Sequence, residues 1–188
     1  MVERKNNASL DGQSGTVSRR QFASLALGAG TASGLSTTAL AAAPVATRIG
    51  ADDRFAILEL MARYAWAYDA GDAELFADTF TPDGVLVAWG EEAGKGRDGL
   101  IALAEQLFEK RGEQDWLHMV DHHVFQGDAK GCVVYSYYHM LEGSRTEKRF
   151  SVRSFGYYVS YCKKLQGEWY FTKRTINRWN SKQVPWKG

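Results

Sequence analysis

Cysteine is scarce in this chain. Cys132 and Cys162 are the only two in 188 residues, too few for a disulfide framework and without the spacing of a metal motif. Each falls within a β-like segment, which leaves open a disulfide in an oxidising compartment or two buried thiols. An excess of one charge is also missing, since 23 Lys and Arg face 22 Asp and Glu for a formal charge of +1. Interspersed charges near neutrality argue against nucleic acid as a partner, and no basic amphipathic helix offers a membrane dock. No Ser or Cys stands in a nucleophile elbow, so covalent catalysis has no candidate. "GKGRDG" (Gly94 to Gly99) lacks the spacing and the strand-to-helix setting of a phosphate loop. The sequence contains no internal repeat.

What is present divides unevenly. "SRRQF" (Ser18 to Phe22) leads into a weakly apolar run of Ala, Gly, Ser and Thr that ends at the small-x-small triplet Ala39-Leu40-Ala41. Paired arginines before such a run resemble a twin-arginine export signal, and the run is too broken for a membrane span. The expected organisation is a signal peptide over 1–41, a linker over 42–51 and one domain over 52–188, placed in the periplasm. The chain is 45% hydrophobic and 13% aromatic, so that domain can bury a real core.

Helices come first. Apolar residues Phe55, Leu58, Met61 and Ala65 recur at helical spacing, with Asp52 or Asp53 as cap and an end near Tyr68. Asp72 caps a shorter helix, "AELFADTF", whose Leu75, Phe76 and Phe80 should face inward. "TPDG" reads as a turn, Val85 to Trp89 as a strand, "EEAGKGRDG" as a loop and Leu100 to Lys110 as a third helix. From Trp116 onward the pattern becomes strands separated by "QGDAKG", "EGSRTEKR" and "QG", which predicts an antiparallel meander. The class is α+β, with a curved sheet folded over the helices. Its outer face would be aromatic and β-branched, which suits a homodimer or homotrimer.

The next place on the first helix's apolar stripe after Ala65 is Asp69. That carboxylate could face water, cap the following turn, or do acid–base chemistry. Strict alternation over 117–125 puts His118 with Val120, His122 and Val124, and puts Asp121, His123 and Phe125 on the opposite face. An imidazole among valines needs a partner, and the sheet would carry His118 towards Asp69. A carboxylate on one ring nitrogen leaves the other as a base. A satisfied core histidine is an equal alternative. His118 and His122 at this spacing could bind zinc, but no third ligand shares their face, and a surface or capping role suits His122 and His123 better. His139 reads as a rim residue. Trp89, Tyr135, Tyr137, Phe155 and Tyr157 read as core, with some lining a cavity.

Four segments, "AILELMARYAWAYDAGDAELFADTFTPDGVLVAWG", "GRDGLIAL", "HMVDHHVF" and "GYYVSYCKKLQGEWYFTKRTINRW", resemble the SnoaL-like branch of the nuclear-transport-factor-2-like superfamily. Within it the chain is similar to scytalone dehydratase and hexachlorocyclohexane dehydrochlorinase. The resemblance spans roughly residues 52–180. It implies a cone-shaped antiparallel sheet around the helices, a catalytic Asp69–His118 dyad and no cofactor or metal. It also implies a substrate site that includes Tyr64 and Tyr68, the former standing where the dehydrochlorinase has a lysine. The chain departs from the pattern at Asp121, where asparagine is common, and lacks a second histidine near Arg153 to Phe155. Arg153, Tyr64 or Tyr68 would then polarise the leaving group, with Trp89 and Phe155 completing the substrate contacts. The implied activity is a cofactor-free lyase on a small, hydrophobic, aromatic molecule, by dehydration or retro-aldol C–C cleavage releasing an aldehyde. An isomerase of the ketosteroid type and a non-catalytic binding or structural subunit are the alternatives.

Overall fold

The computed structural model describes residues 49–144, 146–180, 182 and 184–187. The expected twin-arginine signal, its expected cleavage triplet and most of the expected linker lie outside the described residues. The domain opens with α1 (Ala51–Ala70), which buries Ile57, Leu60, Met61, Tyr64, Ala67 and Tyr68. Burial of each large aliphatic contributes about 1.5–3 kcal/mol. Phe55, expected inside, is 72% exposed, because the stripe that faces the sheet is set by Ile57 and Leu60. Neither early aspartate caps the helix. Gly50 is its N-cap, and Asp53 accepts hydrogen bonds from Lys164 Nζ (2.8 Å) and Trp169 Nε1 (2.9 Å).

Asp72 does cap α2 (Ala73–Asp78), its carboxylate accepting from the Leu75 backbone N–H at 2.9 Å. α2 is shorter than expected and leaves Leu75 partly exposed while burying Phe76. "TPDG" and "EEAGK", expected as turn and loop, belong instead to β1 (Phe80–Ala88) and β2 (Glu91–Lys95). The two strands meet through Trp89 and Gly90, both at positive φ (53° and 96°), the geometry of a tight hairpin turn. α3 (Gly96–Arg111) follows directly.

The remaining strands, β3 (Asp115–Gly127), β4 (Gly131–Ser144), β5 (Arg149–Leu165) and β6 (Glu168–Arg178), form the expected antiparallel meander. The sheet order is β2-β1-β6-β5-β4-β3, and β1 lies parallel to β6. The sheet is therefore mixed rather than wholly antiparallel, an open curved α+β fold. Cys132 and Cys162 are free, buried and directly opposite each other on β4 and β5. Burial pushes their thiols up to about 11 and 12.

Two of the sheet's irregularities, on β3 and β5, decide which of their side chains reach the cavity. Between Asp121 and Val124, β3 carries one residue more than β4, and His122 there has φ 53°. Such a bulge reverses the facing of everything beyond it. His123 and Phe125 thus turn towards the interior with His118, while His122 goes out to solvent beside Asp121. The second bulge places Arg153 between the pairs Met140–Ser154 and Leu141–Val152.

Candidate active site

Asp69 stands in the last turn of α1, where two groups fix its backbone. Gly71 ends the helix in the left-handed conformation, φ 79°, which a glycine adopts without strain. Arg111, from the end of α3, donates to the Asp69 carbonyl at 2.8 Å. α1 has no basic residue in its own last turn, so α3 supplies the cation for its negative pole. A Cβ on Gly71 would come within 2.7 Å of Arg111 Nη2.

The carboxylate is spent entirely on one residue. Oδ2 accepts the His118 backbone N–H at 2.7 Å, and Oδ1 meets His118 Nδ1 at 2.6 Å. Both side chains are nearly buried, His118 at 7% and Asp69 at 12% exposure. A carboxylate only accepts, so Nδ1 is the donor, and in the neutral ring Nε2 keeps its lone pair. The dyad closes because α1 crosses the sheet beside β3 and because His118 precedes the β3 bulge.

His118 forms part of the wall of a cavity of about 510 Å³. The wall is mostly apolar and aromatic, with Tyr68, Trp116, Tyr138, Tyr158 and Met140 from the helix and sheet, and Leu103 and Leu107 from α3. Tyr68 lies edge-on to the His118 ring (centroids 4.8 Å apart) and stacks on Trp116 at 5.8 Å. Its hydroxyl is pushed well above the usual tyrosine range by burial. Arg153 reaches the cavity only because its bulge turns it inward beside Ser154. There its guanidinium lies 5.1 Å over Trp116 and pairs with Glu142, which also accepts from Trp116 Nε1 at 2.7 Å.

Of the residues singled out in the sequence, Asp69, His118, Tyr68, Trp89 and Arg153 come together at this cavity or directly behind it. Tyr64 does not. It is 2% exposed in the core, packed on Phe76, Phe80, Tyr158 and Phe171, with its hydroxyl pushed up to about 12 by burial. Five residues turn a helix by roughly 500°, so Tyr64 and Asp69 project about 140° apart. Phe155 stands outside the cavity on its rim, 58% exposed, because it alternates along β5 with the inward-facing Ser154, Gly156 and Tyr158. His118 and His122 end on opposite faces, which dissolves the paired-histidine arrangement. Trp116, Tyr138 and Tyr158 were not singled out as substrate contacts. Their inward parity, two residues from His118 or alternating along β4 and β5, was the available signal.

A model of the SnoaL-like domain matches residues 50–175. The chain belongs to the SnoaL-like domain family. No curated protein matches it. Among solved structures, this SnoaL-like chain is similar to a Nostoc punctiforme protein of unknown function with a cystatin-like fold. That likeness has 22% identity and a TM-score of 0.62, covering 74% of this chain and 99% of that one. An NTF2-like protein from Novosphingobium aromaticivorans is 20% identical with a TM-score of 0.59, over 69% and 84% of the two chains. A Catenulispora acidiphila protein in complex with S-DNPA is 23% identical with a TM-score of 0.59, over 66% and 92%. These likenesses establish the fold.

Proposed function

We propose that this protein is a cofactor-independent lyase acting on a small, hydrophobic, aromatic substrate. The observation that carries this reading is the Asp69–His118 pair set in the wall of an apolar cavity. Nε2 of His118 takes a proton from the substrate and Asp69 stabilises the resulting imidazolium. In a dehydration the proton comes from carbon, its bonding pair forms the new double bond, and the hydroxyl leaves as water with the proton that His118 returns. In a retro-aldol cleavage the proton comes from a hydroxyl, the C–C bond breaks to release an aldehyde, and the carbanion takes the proton. Arg153 and the Tyr68 hydroxyl are the donors within reach of the leaving oxygen. The SnoaL-like assignment, and a shared fold with a protein solved in complex with S-DNPA, support small-molecule chemistry here.

The test is to screen the pure protein against lignin-like aromatics, steroids and halogenated hydrocarbons for turnover without added cofactor. Activity that survives loss of His118 would overturn the reading.

Export and assembly belong to the same proposal. Arg19 and Arg20 direct the folded chain to the periplasm, so Lys at both positions stops export; mature protein still reaching the periplasm would refute this. The outer sheet face, with Phe150 and Tyr161 exposed, pairs copies of the domain into a dimer or trimer. A monomer by light scattering at micromolar concentration would remove that part.

A further inference from the structure

Beside the reaction cavity lies a second hollow of about 360 Å³. It shares Trp89, Tyr138, Arg153 and Ser154 with the cavity and adds Val152, Phe155 and Arg178. The two are continuous through these shared residues, so this hollow is the cavity's mouth. Trp89 and Arg178 also line a broader hollow beside Trp179. Large apolar groups are normally withdrawn from water, yet around the mouth Trp89 is 60% exposed, Phe155 58% and Val152 57%. Trp89 sits there on the two-residue turn, its backbone N–H anchored to the Ile176 carbonyl at 2.9 Å.

The charges at this mouth are not balanced. Arg153 is neutralised by Glu142, whereas Arg178, the last residue of β6, has no carboxylate partner among the described residues. Neither hollow has an Asp or Glu in its lining. A free guanidinium flanked by exposed aromatic faces is complementary to a molecule that is apolar along its length and anionic at one end. The reacting end must be apolar and deep to reach His118, so the anionic end has its place outside, at Arg178.

We infer that the mouth is an anion-recognising subsite: Arg178 holds the acidic group of an amphipathic aromatic monoanion, an aromatic carboxylate, Trp89 and Phe155 pack against its apolar body, and its reacting carbon lies at His118. The inference rests on the proposed lyase reading for the position of the reacting carbon, and on that alone.

The experiment compares two probes with one ring skeleton, 8-anilinonaphthalene-1-sulfonate and its neutral counterpart N-phenyl-1-naphthylamine, titrated by fluorescence against the protein. Arg178→Glu should weaken the anionic probe about tenfold and Arg178→Gln several-fold, both effects shrinking in high salt, with the neutral probe changed by less than about twofold. Lys163→Glu, at the far end of the β5–β6 ladder, is the control for general field effects and should change neither. Equal losses for both probes, no loss for either, or the same loss from Lys163→Glu would overturn the subsite. So would a change in oligomeric state in step with the lost affinity, because the face would then be a subunit contact. Thermal midpoints of the variants, expected to stay at the wild-type value, verify folding. Probe binding needs no turnover, so failure here leaves the dyad untouched, and an inactive dyad leaves this result standing.

Discussion

Asp69 and Arg174 are both ionic side chains sunk into the domain, and they are held by opposite means. Asp69 has every acceptor direction that matters filled by His118, through one backbone and one ring nitrogen. Arg174, fully buried on β6, has no hydrogen-bond partner at Nε, Nη1 or Nη2 among the described residues. Its guanidinium lies instead against the faces of Tyr158 (4.0 Å), Tyr64 (4.1 Å) and Phe171 (4.6 Å). Ser136, Ser160 and His123 nearby likewise keep unpartnered buried polar atoms. Ser160 is directly opposite Arg174 across the ladder. A guanidinium cannot shed its proton to escape burial, so ring faces are its only compensation, and each is worth about 2 kcal/mol when desolvated. Its charge is felt outside the cage: burial, and after it the charge of Arg174, holds His123 below the usual histidine range. One region spends geometry to orient an imidazole, the other tolerates electrostatic cost to fill a core.

The largest effect should come from the first region. Replacing His118 by Ala should lower turnover about 10²–10⁴-fold, the ordinary worth of a general base, while circular dichroism shows an intact fold. Asp69→Asn should also forfeit activity, since an amide has a single acceptor oxygen and can hold the ring in the wrong tautomer. Its thermal midpoint should move little, and a fully active variant would end the dyad. In the second region the sign reverses. Arg174→Met removes an ion without hydrogen bonds and keeps the volume, so stability should rise by about 1–4 kcal/mol in chemical denaturation. A loss instead would mean that the ring faces more than offset the desolvation. The smallest change links helix and dyad: Gly71→Ala should cost about 1 kcal/mol or slightly more through strain at positive φ and the displaced Arg111. Denaturation midpoints measure it, with a parallel fall in activity if Asp69 shifts.

Much of the first region was legible before any coordinates. Helical spacing put Asp69 on the buried side of α1, and strand alternation held as far as His118. It failed four residues later, at the His122 bulge, because one extra residue inverts parity and leaves no mark in a polar run such as Asp121-His122-His123. β2 was read as a loop because its two glutamates, one lysine and one glycine carry little strand preference; pairing with β1 decided it. Arg174 was wholly illegible, since "KR" in the middle of a strand looks like surface charge. Only the aromatic neighbours brought by α1 and β5 reveal where it points. Arg153 was reached through the family likeness, but its direction depends on a bulge that no periodicity shows.

The bond from Arg111 to the carbonyl of Asp69 has a mechanical meaning. α3 lines the cavity through Leu103 and Leu107 and ends at Arg111, so one rigid rod is both the wall against which a substrate presses and the clamp on the aspartate's backbone. A guest too bulky for the cavity would push that rod outward and loosen the clamp in the same movement. If His118 is the base proposed above, fit at the wall would govern its alignment, and molecules that fit badly would meet a histidine whose anchor has slipped.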